Sequence, residues 1–357
     1  MILELHTPGH SAYSDTLMMY ALAGAASAHL RKVVGRGAFY TLIMDGLTVE
    51  ELAEKISGVF NRNMERISNS LTRLLDEKDV NKASDAFADE KRLAEYLIEL
   101  TSTGHSGREG RFGKGSTFAL PLMPTAGKYL RTDLTEHKKY APKSYEVCSY
   151  CSALAILGLA LGSLNVRQRS TNVVTTVKFD GEIEGDTLGQ LIDYFTQLSG
   201  GEEKLFKVAG QCLNKMPERL FGYLVLAGMN DRLIVQMENT NARWTALISR
   251  FEVVRVVQVR GYYSVELDTV LASLAGLIRI EEEFKVRARG KLADTCETLL
   301  RICSVQSLEK LFDFLSTRKP NEIYGFVRAA FSDLKQEHMN LSASELVEAL
   351  ARLCIGM

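Results

Sequence analysis

The hydrophobic period changes once along this chain of 357 residues, and it changes at Gly261. Beyond it, apolar residues recur at three- and four-residue spacing: Val270, Leu274, Leu277; Leu292, Cys296, Leu299, Cys303; Leu308, Leu311, Leu315; Val327, Phe331, Leu334. That is helical spacing, and from Tyr263 onward no convincing strand is legible. Pro320 opens one of these helices, and Ser342 with Glu345 forms a capping box stapled by Leu341 and Leu346. Short connections predict a bundle of four to five antiparallel helices.

Before Gly261 strands and helices mix. Asn172 to Asp180 alternates, with Val173, Thr175, Val177 and Phe179 on one side, as a half-buried strand does. Ile2–His6, Leu233–Met237 and the valine-rich Phe251–Arg260 read as further strands, and 33–44 as a hairpin with Gly35 and Gly37 at its turn. Ser14 is placed to cap a helix reaching about Leu30, with Asp15 in its first turn and many small residues that allow a close neighbour. Thr48 and Glu51 form a capping box, stapled by Leu47 and Leu52, for a helix to about Leu75; another helix runs from about Ser84 to Leu100. Helices are also expected over 124–140, from Cys148 to about Leu161, and over 186–198, 204–215 and 217–227. The fold class is therefore α+β: a mixed α/β region with short strands over residues 1–261, then a helical bundle over 262–357.

Composition removes several classes. Hydrophobic residues make up 46% of the chain, enough for one large or two ordinary domains. The most apolar run, Ala153 to Leu164, is shorter than the ~20 residues a bilayer requires, and the first residues lack the basic and apolar segments of a signal peptide. Six cysteines are too few for a secreted disulfide scaffold. A soluble cytoplasmic protein with no membrane partner is expected.

Net charge is -1, so any binding to polyanions has to be local. One stretch has that local excess. Gly104, Gly107, Gly110, Gly113 and Gly115 are interleaved with Arg108, Arg111 and Lys114, and Lys128, Arg131, Lys138, Lys139 and Lys143 follow. Against these eight positive charges stand Glu109, Asp133 and Glu136. Glycines let a ligand approach the backbone, and arginines grip phosphate in a bidentate fork. The stretch reads as a nucleic-acid contact, with a solvated surface loop as the plainer alternative. Arg167 and Arg169 extend the basic surface. It is not a Walker A loop: Gly115 separates Lys114 from Ser116, and Arg108 stands where the motif needs glycine.

Cys148 and Cys151 have the spacing of half a zinc site. No second such pair exists, and His105 and His137 are the upstream histidines able to complete a tetrahedron. The alternative is a buried pair of small apolar thiols at a helix start. No further cofactor is expected. Trp244, among Asn239, Asn241 and Arg243, is either a base-stacking residue or a packed anchor. No paired acid and base or nucleophile in a motif context is legible, so a non-enzyme is expected. An enzyme using the glycine loop as an anion cradle for a nucleotide or phosphorylated substrate is the alternative.

Four stretches together carry a resemblance: TPGHSAYSDTLMMYALAGAA, LPLMPTAGKYLRTDL, VCSYCSALAILGLALGS and TVKFDGEIEGDTLGQLIDYF. In this order, within about 260 residues, they resemble the large subunit of archaeal type I-A CRISPR interference complexes, the Cascade of that subtype. The resemblance implies an N-terminal α/β region and a C-terminal helical bundle that docks partners. It implies a non-catalytic subunit contacting the guide RNA handle, reading the protospacer-adjacent motif in duplex DNA, and helping to recruit the nuclease-helicase beside the other Cascade subunits. It also implies a cysteine-based zinc site, of which Cys148 and Cys151 are the visible part.

Overall fold

The computed structural model describes residues 1–71, 74–102, 105, 112, 116–117, 119–124, 146–198, 204–255, 257–284, 296–297, 299–301, 303–317 and 319–336. Its centre is an antiparallel sheet of seven strands, and β4 (Ser116–Thr117) and β5 (Glu146–Val147) pair apart from it. β1 (Ile2–His6) pairs with β3 (Phe39–Asp45), and β3 with β2 (Leu30–Arg36). Leu3, Leu5, Val33, Tyr40, Leu42 and Met44 point inward from these strands, as the alternation predicts. Gly37, at φ +65, makes the β2–β3 turn, and its N–H donates to Asp180 Oδ1 at 2.7 Å.

β7 (Thr171–Glu184) is the spine. Its last residues, Gly181 to Glu184, pair with β2, and its first, Thr171 to Thr176, pair with β6 (Ser163–Gln168). Its other edge pairs with β8 (Arg243–Val253), which pairs with β9 (Val257–Glu266). Among the described residues β9 has no further partner, so it closes the sheet order β1-β3-β2-β7-β8-β9.

The helices at the centre of the core are buried on every side. α1 (Ala12–Ala26) buries all but Ala12 and Gly24. α5 (Ser149–Leu161) buries all but Ser149. They cross backbone to backbone: a Cβ on Gly158 would lie 1.7 Å from the Leu17 carbonyl oxygen. Tyr20 ties α1 to the sheet, donating its hydroxyl to the Val177 carbonyl at 2.7 Å. Around this pair lie the amphipathic helices α2 (Val49–Leu71), α3 (Glu77–Ala88), α4 (Glu90–Leu100) and α6 (Gly185–Leu198). The Thr48–Glu51 capping box forms as expected, with Thr48 N–H on Glu51 Oε2 at 2.8 Å and Glu51 N–H on Thr48 Oγ1 at 3.2 Å. α7 (Lys204–Gln211), α8 (Leu220–Gly228) and α9 (Asp231–Glu238) precede β8. α10 (Asp268–Phe284), α11 (Val305–Thr317) and α12 (Pro320–Gln336) are the described helices of the C-terminal part, and α11 packs against α12. The chain is thus α+β, with strands in its N-terminal part and helices at its C-terminal end.

Four local expectations change. Leu233–Met237 is helical, because Asn230 caps α9 by accepting the Leu233 N–H at 2.8 Å, and Leu233, Ile234 and Met237 are buried at helical spacing. Phe251–Arg260 is not one strand but the end of β8, which stops at Val253, and the start of β9 at Val257, and β9 carries strand structure past Tyr263 to Glu266. Ser11, not Ser14, caps α1. The helix expected from Ser84 to Leu100 begins at Glu77 and divides at Asp89, whose carboxylate accepts the Arg92 N–H and starts α4 anew. Of the two readings of Trp244 the packed anchor holds: it lies within β8, 1% exposed, its indole donating to the Met237 carbonyl. Residues 125–140 of the expected basic helix, and the Ser342–Glu345 box, lie outside the described residues.

Candidate metal centre

The start of α5 gathers the most reactive side chains of the described chain. Cys148 is the N-cap of this helix, and its sulfur accepts the Cys151 N–H at 3.2 Å. One helical turn returns Cys151 to the same side, so the two Sγ atoms stand 3.1 Å apart. His105 approaches from beyond α4, with Nε2 3.6 Å from Cys148 Sγ and 3.4 Å from Cys151 Sγ. The three ligand atoms lie within 4.8 Å of one another, and all three residues are buried.

The imidazole is held from behind. Its Nδ1 lies 2.8 Å from Glu99 Oε2, which fixes the ring and leaves Nε2 toward the sulfurs. A carboxylate on the far nitrogen is how metal-binding histidines are commonly oriented. Around the cluster stands an aromatic wall. Tyr96 stacks on Tyr150 at 5.0 Å and meets the His105 ring edge-on at 5.1 Å, while Phe112 packs edge-on against both tyrosines. The Tyr96 hydroxyl lies 3.4 Å from Cys151 Sγ.

Burial pushes the Cys148 thiol up, but hydrogen bonds from the Cys151 thiol, His105 and the Cys151 amide overcome it and bring the pKa down to about 6. Burial, together with the neighbouring Cys148 thiolate, pushes Cys151 well up. For His105 burial acts downward, yet the bonds to Cys148 and Glu99 outweigh it and the pKa is raised. These shifts favour the thiolate on Cys148 over one on Cys151 and the charged form of His105.

Two thiols and an imidazole are a zinc donor set. Tetrahedral zinc with ordinary bond lengths needs sulfur–nitrogen edges of about 3.5 Å and a sulfur–sulfur edge of about 3.8 Å. The 3.4 and 3.6 Å edges match already, and the 3.1 Å sulfur pair must open by about 0.7 Å. The residues fit the ion. Among the described residues three protein ligands meet there; His137 lies outside them.

Of the basic residues singled out above, Arg108, Arg111, Lys114, Lys128, Arg131, Lys138 and Lys139 lie outside the described residues. The described members of the Gly104–Gly115 stretch are His105 and Phe112, and both are buried in the cluster. Arg167 and Arg169 are described. They sit exposed at the tip of the β6–β7 hairpin, Arg169 in the left-handed region at φ 54 and accepting the Arg167 Nε–H on its carbonyl. Neither has a carboxylate within ion-pair distance among the described residues. Glu99, Tyr96, Tyr150 and Phe112 were not identified from sequence. Glu99 and His105 are six residues apart across a helix end, which matches no periodic signature.

A family model described as CRISPR-associated protein (Cas_Csa4) matches residues 3–355. Among curated proteins no match is found. No helix of the described residues is long and apolar enough to cross a membrane.

Proposed function

Because the chain belongs to the CRISPR-associated Cas_Csa4 family, we propose that it is the non-catalytic large subunit of an RNA-guided DNA-targeting complex. Its role is to contact the guide RNA handle, read the short motif beside the target in duplex DNA, and help bring the nuclease-helicase to the opened strand, while guide pairing supplies the rest of the specificity. The observation that carries this reading is the family match over nearly the whole chain. The sequence adds Arg108, Arg111 and Lys114 as the residues for phosphate and base edges, with Lys128, Arg131, Lys138 and Lys139 along the path and Arg167 and Arg169 as exposed, unpaired cations nearby in function.

The metal centre belongs to the same reading. His105 and Phe112 bracket Arg108 and Arg111 in sequence, and both are buried against Cys148, Cys151, Tyr96 and Tyr150. A structural zinc held by His105, Cys148 and Cys151 would staple the stem of the reading loop to α5, and its contribution is folding free energy, not chemistry. The C-terminal helices serve as the docking surface for the other subunits.

The test uses the assembled complex with guide RNA and matched duplex targets whose two or three flanking base pairs are permuted. Wild type is expected to prefer some flanks, and the variant with Arg108, Arg111 and Lys114 all changed to alanine to lose that preference. A wild type indifferent to the flank defeats the role. A variant that discriminates like wild type defeats the site.

A further inference from the structure

A second cleft lies far from the cysteines in chain position, where the edge strand β9 meets α8 and α11. Its volume is about 380 Å³, and Arg219, Tyr223, Tyr262, Tyr263, Glu266 and Phe312 line it. The rings are arranged for stacking. Tyr223 and Phe312 lie nearly parallel, 5.7 Å between centroids at 28°. Tyr262 and Tyr263 are adjacent on a strand, so their side chains leave opposite faces of the sheet and bracket its edge. Both, like Phe312, are only partly buried.

Arg219 sets the chemistry. Its guanidinium lies 5.5 Å from the Tyr263 centroid and 5.8 Å from that of Phe312. It is exposed, and among the described residues no carboxylate stands within ion-pair distance of it. The adjacent Glu218 is engaged by Arg250. A guanidinium set beside two rings, with no ion pair among the described residues, is suited to a planar or phosphate-bearing ligand. The lining carries one carboxylate, Glu266, an acceptor for a base N–H.

We propose that this cleft holds one unstacked nucleotide of a single-stranded nucleic acid, its base against Tyr263 and Phe312 and its phosphate on Arg219. A duplex cannot enter, because its bases are stacked on one another and only a freed base offers both faces to the rings. A peptide strand adding to the β9 edge is the competing occupant. The uncompensated cation favours the nucleotide, since strand addition uses backbone hydrogen bonds and leaves the Arg219 charge unmatched. The proposal uses none of the residues proposed to read the flank, so it stands or falls independently of flank reading.

The experiment is fluorescence anisotropy of the full chain with labelled oligo-dT of twelve nucleotides and with a duplex of the same length. Arg219→Gln is the first variant, since the residue is exposed. Phe312→Leu and Tyr263→Leu follow, with circular dichroism melting as the fold control. Each ring variant is expected to weaken single-strand binding by about 5- to 100-fold. Arg219→Gln is expected to weaken it and to flatten its salt dependence, with duplex binding unchanged. Tyr263→Phe should restore binding. Folded variants that bind the single strand as wild type does overturn the proposal. So does equal loss of single-strand and duplex binding, which would make Arg219 a general electrostatic contact.

Discussion

At the scale of single residues, two carboxylates lead to measurable claims. Asp15 is buried in the first turn of α1, where its oxygens accept the Gly9 N–H at 2.7 Å and the Ser11 N–H at 3.0 Å. Burial outweighs these bonds and raises its pKa to about 6. The folded state therefore holds this proton more tightly than the unfolded chain does. Its contribution to stability is fully present below the unfolded value near 4 and is lost as pH rises through 6, a swing of about 3 kcal/mol. Denaturation at stepped pH should show this loss, and Asp15→Asn should flatten it; an unchanged slope in the variant would assign the pH dependence elsewhere. Glu99 acts through His105. Glu99→Gln should bind zinc about 10- to 100-fold more weakly while leaving all three ligands in place, read by competition with a chromophoric chelator. Equal affinity would mean that the carboxylate does not orient the ring. The Cys148–Cys151 pair was readable from its spacing, with His105 and His137 both open as a further ligand and a buried pair of apolar thiols as the alternative, because spacing alone does not say which histidine the fold brings to the sulfurs. The wall of Tyr96, Phe112 and Tyr150 was not, since aromatics at those positions look like ordinary core until the fold assembles them.

At the scale of elements, the crossing of α1 and α5 is the tightest joint. Gly158 has no side chain because the Leu17 carbonyl occupies the space where one would begin. Gly158→Ala must separate the helices, at a cost of at least about 1–3 kcal/mol. Calorimetry should show a clear fall in melting temperature, and a neutral effect would contradict the close packing. The small residues of α1 had already pointed to such an approach. Elements with clear caps or clean alternation were legible: the Thr48–Glu51 box, β7 and the helix from Pro320. Elements whose signal was tertiary were not. The segment Leu233–Met237 has strand-like composition, yet the Asn230 cap and its buried stripe make it helical. The β8–β9 turn lacks the Asn-Gly or Asp-Gly pair that marks tight hairpins, so two strands read as one. β6 was lost because its apolar residues continue those of α5 without a break beyond Gly162 and Ser163.

At the scale of the molecule, the sheet brings together what the chain order separates. β7 joins the N-terminal hairpin to the β8–β9 hairpin, and β9 carries the sheet to the C-terminal helices through Tyr223, Tyr263 and Phe312. The metal cluster binds a residue from beyond α4 to the cap of α5, on either side of the basic stretch in sequence. The role proposed for this cluster is to anchor the reading loop. Its most direct measurement is the ratio of affinities for the preferred and a disfavoured flanking sequence, in the assembled complex with zinc present. Wild type is compared with a chain carrying Cys148→Ser and His105→Ala. The variant is expected to lack zinc and its ratio to fall toward one, while a fully guide-matched target is still bound through pairing. A variant without zinc that keeps the wild-type ratio would contradict the anchoring of the loop by the metal centre.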